Sequence, residues 1–258
     1  MLEALLVGYA LRFALITCRV SGFVVASPFP GDSIPQTARV GLVVVLSAVG
    51  ALAVGAPDTP PVLGLSLAVH SVFELGLGVL IGFAFFVLFA AADILGGILS
   101  HAIGFAMPSL LNPAFGNTDT AVGNLVSSFS MLLVLSMGLH RTAIGYLLES
   151  FRAVPPGHLV ALPAAMPLFI ELVGASIVAA ARLAMPVVAV SITSQAALAM
   201  LSRASPSLQI FSIGFTLLIL AGLSTLSASL QQIAVGLMQH MGTLPTTLDR
   251  LLEFFAGA

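Results

Sequence analysis

The stretch Ile103–Thr120, IGFAMPSLLNPAFGNTDT, decides how this chain is read. It lies between two long apolar runs, and Gly104, Pro108, Pro113 and Gly116 forbid a continuous helix through it. Proline removes a backbone donor and disfavours helical geometry in the residue before it. Loops that break helices are ordinarily polar, yet this one keeps Phe105, Met107, Leu110, Leu111 and Phe115. At membrane depth a non-helical backbone is tolerated only where protein buries it or where it lines a cavity. Two readings follow. One is a buried connector, and the other is a flexible apolar seal across a pore.

Outward from that stretch the composition identifies the solvent. Apolar residues make up 59% of the chain and charged residues 7%, where a soluble domain carries about 25% charge. There is no lysine, so every basic side chain is an arginine. Such a chain is an integral membrane protein or a subunit buried in a membrane complex. A net charge of −2 without a basic patch speaks against nucleic acid. Cys18 lies alone in an apolar run, so it forms no internal disulfide and reads as a small core residue. The Met-Leu-Glu start has no basic stretch, which predicts that the first apolar run is a retained helix and not a cleaved signal.

Six apolar segments stand out, at about 4–26, 37–56, 62–105, 121–148, 166–201 and 208–241, and together they predict a single all-α membrane domain over residues 1–258. About 20 residues cross a bilayer, so the first two segments fit one crossing each. The third does not. Its 44 residues make about 66 Å of helix against roughly 30 Å of hydrocarbon, an excess that tilt does not absorb. It either folds back on itself or continues beyond the lipid under the cover of partner subunits. Prolines punctuate the loops between segments: Pro28, Pro30 and Pro35, then Pro57, Pro60 and Pro61, then Pro155, Pro156, Pro163 and Pro167, then Pro206. Arg39 and Arg203 flank one side, and Arg141, Arg152 and Arg250 the other, so arginine placement leaves orientation open.

Charges within apolar runs are the next signal, because each one costs a few kcal/mol or more in lipid unless it finds a partner or water. Arg12 and Arg19, seven residues apart, share a helix face. Glu74, Gly78 and Gly82 follow one another at helical spacing, which puts a carboxylate above a groove of small residues where another helix can come close. Asp93, Gly97 and Ser100 form a second polar, small face, and Glu171 and Arg182 mark the fifth segment. Ion pairing within the chain and docking of another subunit both account for these groups.

Catalytic chemistry finds no constellation here. His70, His101, His140, His158 and His240 are scattered over separate segments, no second histidine joins His70 and Glu74 in a zinc-protease pattern, and no serine sits in a Gly-x-Ser-x-Gly elbow. Enzyme is the weakest class, and no cofactor or metal is implied.

Several landmarks, in order along the chain, resemble one family. Ile34-Pro35 leads to Arg39-Val40-Gly41-Leu42, and Glu74, Gly78 and Gly82 form an acidic, glycine-faced third segment. Gly104 with Asn112-Pro113, then His140 with Ser150-Phe151 and Pro155, come next. Leu201-Ser202-Arg203-x-x-Pro206 then runs into Ile210-Phe211-Ser212-Ile213-Gly214-Phe215. From about Arg12 to Gly222 the chain resembles the FliR/SctT family of type III export-gate subunits. Ser207, Thr216 and the spacing of Gly138-Leu139-His140 depart from the family's pattern and bear on local helix geometry.

The resemblance implies hydrophobic helical hairpins built, with FliP-like and FliQ-like subunits, into a helically arranged cone in the bacterial inner membrane, partly raised toward the periplasm. FlhB-like and FlhA-like proteins are the further partners it implies, and unfolded flagellar proteins the cargo. It also implies that Gly104, Phe105, Met107, Pro108, Leu110, Leu111, Asn112 and Pro113 form the plug of the channel. Arg39, Glu74, Gly78, Gly82, Asp93 and Arg203 are expected at subunit contacts. The injectisome branch, exporting effector proteins, is the near alternative, and a secondary transporter with proline-broken helices the distant one.

Overall fold

The computed structural model describes residues 2–28, 34–54, 65–105, 121–159, 165–204 and 210–256. Among them eight α-helices follow one another: α1 (Leu2–Ala26), α2 (Gln36–Val54), α3 (Leu65–Ile103), α4 (Ala121–Ser136), α5 (Leu139–Ala153), α6 (Met166–Ala204), α7 (Ile210–Met241) and α8 (Leu244–Ala256). No strand occurs among the described residues, so the all-α expectation holds. Five stretches are long and apolar enough to cross a membrane, or six if α4 and α5 together make one bent span. By length and composition these are the helices of an integral membrane protein.

Proline and glycine set most of the helix ends. Ser27 donates its N–H to the Phe23 carbonyl at 2.9 Å as the last turn of α1 closes, and Pro28 follows with no N–H to continue it. Pro35 stands immediately before α2, where a missing N–H is harmless, and its carbonyl accepts from Ala38 at 2.9 Å. The third segment does not fold back. It is one helix of 39 residues, about 58 Å long and so nearly twice the roughly 30 Å of hydrocarbon. Helix α6 has the same 39 residues and carries Pro186 within it.

The fourth segment differs from its expected form. It is two helices bent by 62° at Met137–Gly138, because Gly138 takes φ +71°, a left-handed conformation that a residue with a Cβ adopts at a penalty. Beyond the bend α5 runs on to Ala153 and buries Leu139, Ala143, Leu147, Ser150 and Phe151, one face of a 3.6-residue period. Helix α8 was not among the expected segments. It packs on α5 and buries Leu244, Leu248, Leu251 and Phe255, again on one face.

The packing forms two compact units interleaved along the chain. The first comprises Met1–Leu88, Gly138–Val173 and Thr243–Ala258, and the second Phe89–Met137 and Gly174–Gly242. In the first, α1 lies against α2 and α3, and α5 packs on α2 and α8. In the second, the core joins Leu95, Leu99 and Ile103 of α3 with Val126 of α4, Ala184 and Val187 of α6 and Ile233 and Leu237 of α7. Long rows of apolar side chains stay exposed on the chain by itself, among them Val40, Val44, Val45 and Leu52 on α2. Lipid or partner subunits must cover surface of that kind.

Candidate functional site

Two places on α3 carry the residues singled out by the sequence. The first is the crossing of α1 over α3. Gly78 lies so close to α1 that an added Cβ would stand 2.8 Å from the Arg19 carbonyl carbon and 2.9 Å from the Phe23 nitrogen. One turn on, a Cβ at Gly82 would stand 2.6 Å from the Phe23 carbonyl oxygen. The small-residue groove expected from the spacing exists, and the first helix of the same chain occupies it.

That close approach brings Arg19 and Glu74 together. The Arg19 Nε donates to Glu74 Oε2 at 2.6 Å, with 0% and 1% of the two side chains exposed. Desolvating two such charges costs several kcal/mol per ion, and only full satisfaction of both groups offsets it. Here both are satisfied. Arg19 Nη1 donates to the Ser150 carbonyl at 2.8 Å and Nη2 to the Val154 carbonyl at 3.0 Å. The guanidinium carbon also stands 4.6 Å from the centroid of the Phe151 ring, within cation–π range. The other carboxylate oxygen, Glu74 Oε1, accepts the Gly157 N–H at 2.9 Å, and Gly157 turns the chain with φ +94°. Arg19 thereby caps the C-terminal carbonyls of α5, where a positive charge also suits the helix dipole. The cluster ties α1, α3, the end of α5 and the turn after it.

The second place is the end of α3, where the apolar stretch begins. Gly104 has φ +96° and shares its N–H between the Ser100 and His101 carbonyls, 3.2 Å from each. The Ser191 hydroxyl of α6 donates to the Ala102 carbonyl, one of the last of the helix. Ile103 packs on Gly222 of α7, and half-buried Phe105 packs against the core of the second unit. Gly104 and Phe105 are therefore placed, whereas Met107, Pro108, Leu110, Leu111, Asn112 and Pro113 lie outside the described residues.

The residues expected at subunit contacts have different surroundings. Glu74, Gly78 and Gly82 meet their own chain, as above. Asp93 is exposed and accepts a hydrogen bond from Ser127 of α4, and a Cβ at Gly97 would meet nothing within 4 Å. Arg39 is half-buried near the start of α2, and Arg203 is exposed in the last turn of α6. Sequence reasoning singled out Arg19 and Glu74 separately and Ser150 only as part of a family landmark, and it missed Val154 and Gly157. Backbone carbonyls and a backbone N–H leave no signature in side-chain identity. Among the described residues no three His, Cys, Asp or Glu side chains converge to hold a metal.

Comparison with known proteins points one way. The family model described as "Bacterial export proteins, family 1" matches residues 10–244. The chain is similar to the flagellar biosynthetic protein FliR of Caulobacter vibrioides, 28% identical over 226 residues, covering 86% of this chain and 89% of that one. It is 27% identical to FliR of Escherichia coli over 222 residues, 84% of this chain and 83% of that one. The surface presentation of antigens protein SpaR of Salmonella typhimurium is 28% identical over 214 residues, 82% of this chain and 78% of its own length.

Proposed function

The chain belongs to the bacterial export proteins, family 1, and on that premise we propose that it is a core subunit of a flagellar type III export gate. With FliP-like and FliQ-like subunits it forms the channel through which unfolded flagellar proteins cross the inner membrane, beside FlhB-like and FlhA-like proteins. The apolar stretch that leaves α3 at Gly104 helps to seal that channel. An extended chain needs a passage about as wide as a peptide with side chains, while ions must be held back when no cargo is present. Loose apolar side chains suit both demands, since a narrow hydrophobic constriction dewets and blocks ions, and Met-type surfaces adapt to whatever passes.

The observation that carries this reading is the end of α3. A long helix stops at a glycine of positive φ, and its last turn is held by α6 and α7 where Phe105 starts an apolar, proline-broken run. Gly104, Phe105, Met107, Pro108, Leu110, Leu111, Asn112 and Pro113 are the seal residues on this reading. Two helices of 39 residues, each about twice the hydrocarbon thickness, support a gate partly raised toward the periplasm. Asp93, exposed within α3, Arg203, exposed in the last turn of α6, and half-buried Arg39 remain the candidates for subunit contacts.

Deleting residues 105–111 in cells with the whole apparatus makes the membrane leaky to ions while the other subunits still assemble. Cells that stay as tight as the parent and secrete normally would overturn the seal. The injectisome reading has its own support in the match to SpaR. A deletion strain decides between them: loss of swimming and of hook-protein secretion selects the flagellar reading, and loss of effector secretion with swimming intact selects the other.

A further inference from the structure

We propose that the outward face of α6 and α7 between the levels of Arg182 and Arg203 is the lipid-facing belt of the chain. Phospholipid headgroups meet it at Arg182, and the parts of both helices beyond that level stand clear of the hydrocarbon. The inference deepens the raised-gate reading above by naming which half of each helix is raised, and it does not depend on the seal. Helix α6, with 39 residues, is about twice as long as the hydrocarbon is thick, so lipid covers one half of it. Exposed charges decide which half, because a charge facing lipid is tolerated at headgroup level and costly at mid-depth. Arg182 and Arg203 are both exposed. The twenty residues between them, 183–202, carry no charge, and they make about 30 Å of helix, the thickness of the hydrocarbon. Before Arg182 the apolar run is interrupted by exposed Glu171. Arg203 marks the opposite surface, a level at which headgroups and partner subunits alike can meet it.

Helix α7 gives the same boundary. Ser176 bonds His240 at 3.0 Å, Leu183 lies against Gly236, and Leu198 lies against Gly214, so the two helices run antiparallel in a fixed register. Arg182 therefore stands level with the stretch of α7 between Gln232 and Gln239. From Ile210 to Leu230 that helix carries neither a charge nor an amide, and Gln231, Gln232 and Gln239 then follow, all exposed. With Leu183 they line a groove of about 490 Å³ between the helices. Amides there suit water and headgroup oxygens, since hydrocarbon has no hydrogen bond to offer them. Helices α3 and α4 reach this level by another route. Met137 lies against Gly242, so Ser127, ten residues back and bonded to Asp93, stands near residue 232. Within the belt Met185, Ile192 and Met200 of α6 and Leu217, Leu220 and Leu230 of α7 are exposed. Its polar side chains are tied down: Gln195 donates to Ser191 Oγ at 3.2 Å, and Thr193 bonds carbonyls of its own helix. Asp93, Gly97 and His101 keep one side of α3 polar below the boundary, so the belt is confined to α6 and α7.

The test uses the assembled export complex reconstituted in vesicles, with Cys18→Ala and one introduced cysteine per variant carrying a bimane label. Ile192→Cys and Leu220→Cys lie in the belt, and Val178→Cys and Met238→Cys lie beyond it. Phospholipids brominated at mid-chain quench the label at 192 and 220 several-fold more strongly than at 178 and 238. Stronger quenching at 178 and 238 puts lipid on the other half and overturns the belt alone. Equal quenching at all four overturns the belt and the raised-gate reading together. No quenching at 192 and 220 in the complete complex assigns that face to a partner subunit and also overturns the belt. Met200→Cys and Leu217→Cys replace a belt variant that fails to assemble. A second arm needs no label. Ile192→Arg puts a charge at mid-depth and lowers the amount of membrane-inserted protein several-fold, whereas Val178→Arg leaves it near the parent's. The same result for both substitutions overturns the boundary at Arg182.

Discussion

Helix α3 meets its own chain in two ways, and the contrast is between a charged contact and a neutral one. At the α1 crossing a buried ion pair is satisfied on every side, by two carbonyls, a backbone N–H and an aromatic face, over a groove of glycines. At the far end a single hydroxyl and a few apolar contacts hold the last turn, next to a glycine. A buried charge that loses one partner leaves the other stranded, so the first arrangement resists any partial opening. A neutral hydrogen bond is worth only about 0.5–1.5 kcal/mol net, so the second contact depends mostly on packing. The same helix is thus held by charge at one place and by a neutral bond and packing at another.

The largest expected effect tests the anchor. Glu74→Ala or Arg19→Ala leaves one charge buried alone and destabilises the chain by about 3–5 kcal/mol, read as loss of folded protein in detergent by protease resistance. Arg19→Met with Glu74→Met removes both charges, and the double variant is more stable than either single one. If the double variant is as damaged as the singles, the cluster acts through more than charge. Since the chain itself occupies the Glu74 carboxylate, any loss of assembly in a Glu74 variant follows from lost folding, and co-purification should fall in step with protease resistance.

Gly78→Ala comes next. Its methyl would meet α1 backbone, which cannot swing aside like a side chain, and overpacking of this kind costs about 1–3 kcal/mol. Protease resistance of α1 should drop. At the C-terminal end of α3, Gly104→Ala puts a Cβ on a left-handed residue, a penalty of roughly 1–2 kcal/mol. On the proposed seal reading the strain falls where the sealing stretch begins, so the ion leak should rise more than the melting temperature falls. Equal changes in the two would count against the proposed seal reading. The smallest effect belongs to Gly97→Ala, where open space receives the methyl and stability changes by no more than about 0.5 kcal/mol. If the face of Asp93 and Gly97 meets a partner subunit, Gly97→Leu lowers co-purification while the chain's own protease resistance holds.

Much of the fold was readable from apolar runs and their punctuation. Pro28, Pro35 and Gly104 mark helix ends in the structure as their chemistry dictates. Gly138 was visible too, but an apolar run on both sides hid the bend, because hydropathy carries no information about φ. Helix α8 left a signal in the spacing of Leu244, Leu248, Leu251 and Phe255 with Pro245 at its start, overshadowed by longer and greasier segments. At the candidate sites the sequence marked Arg19, Glu74 and Gly104 as unusual without showing what each would touch. Ser191 looked like any other serine in a membrane helix.

Composition, run length and the positions of proline and glycine by themselves determined the solvent, the helical class and the breaks, because those follow from desolvation and backbone sterics within a few residues. Only the tertiary structure decided which partner each buried charge and hydroxyl takes. Arg19 bonds groups 55, 131 and 135 residues away, and local chemistry specifies only that a partner is required, while packing of the helices chooses it.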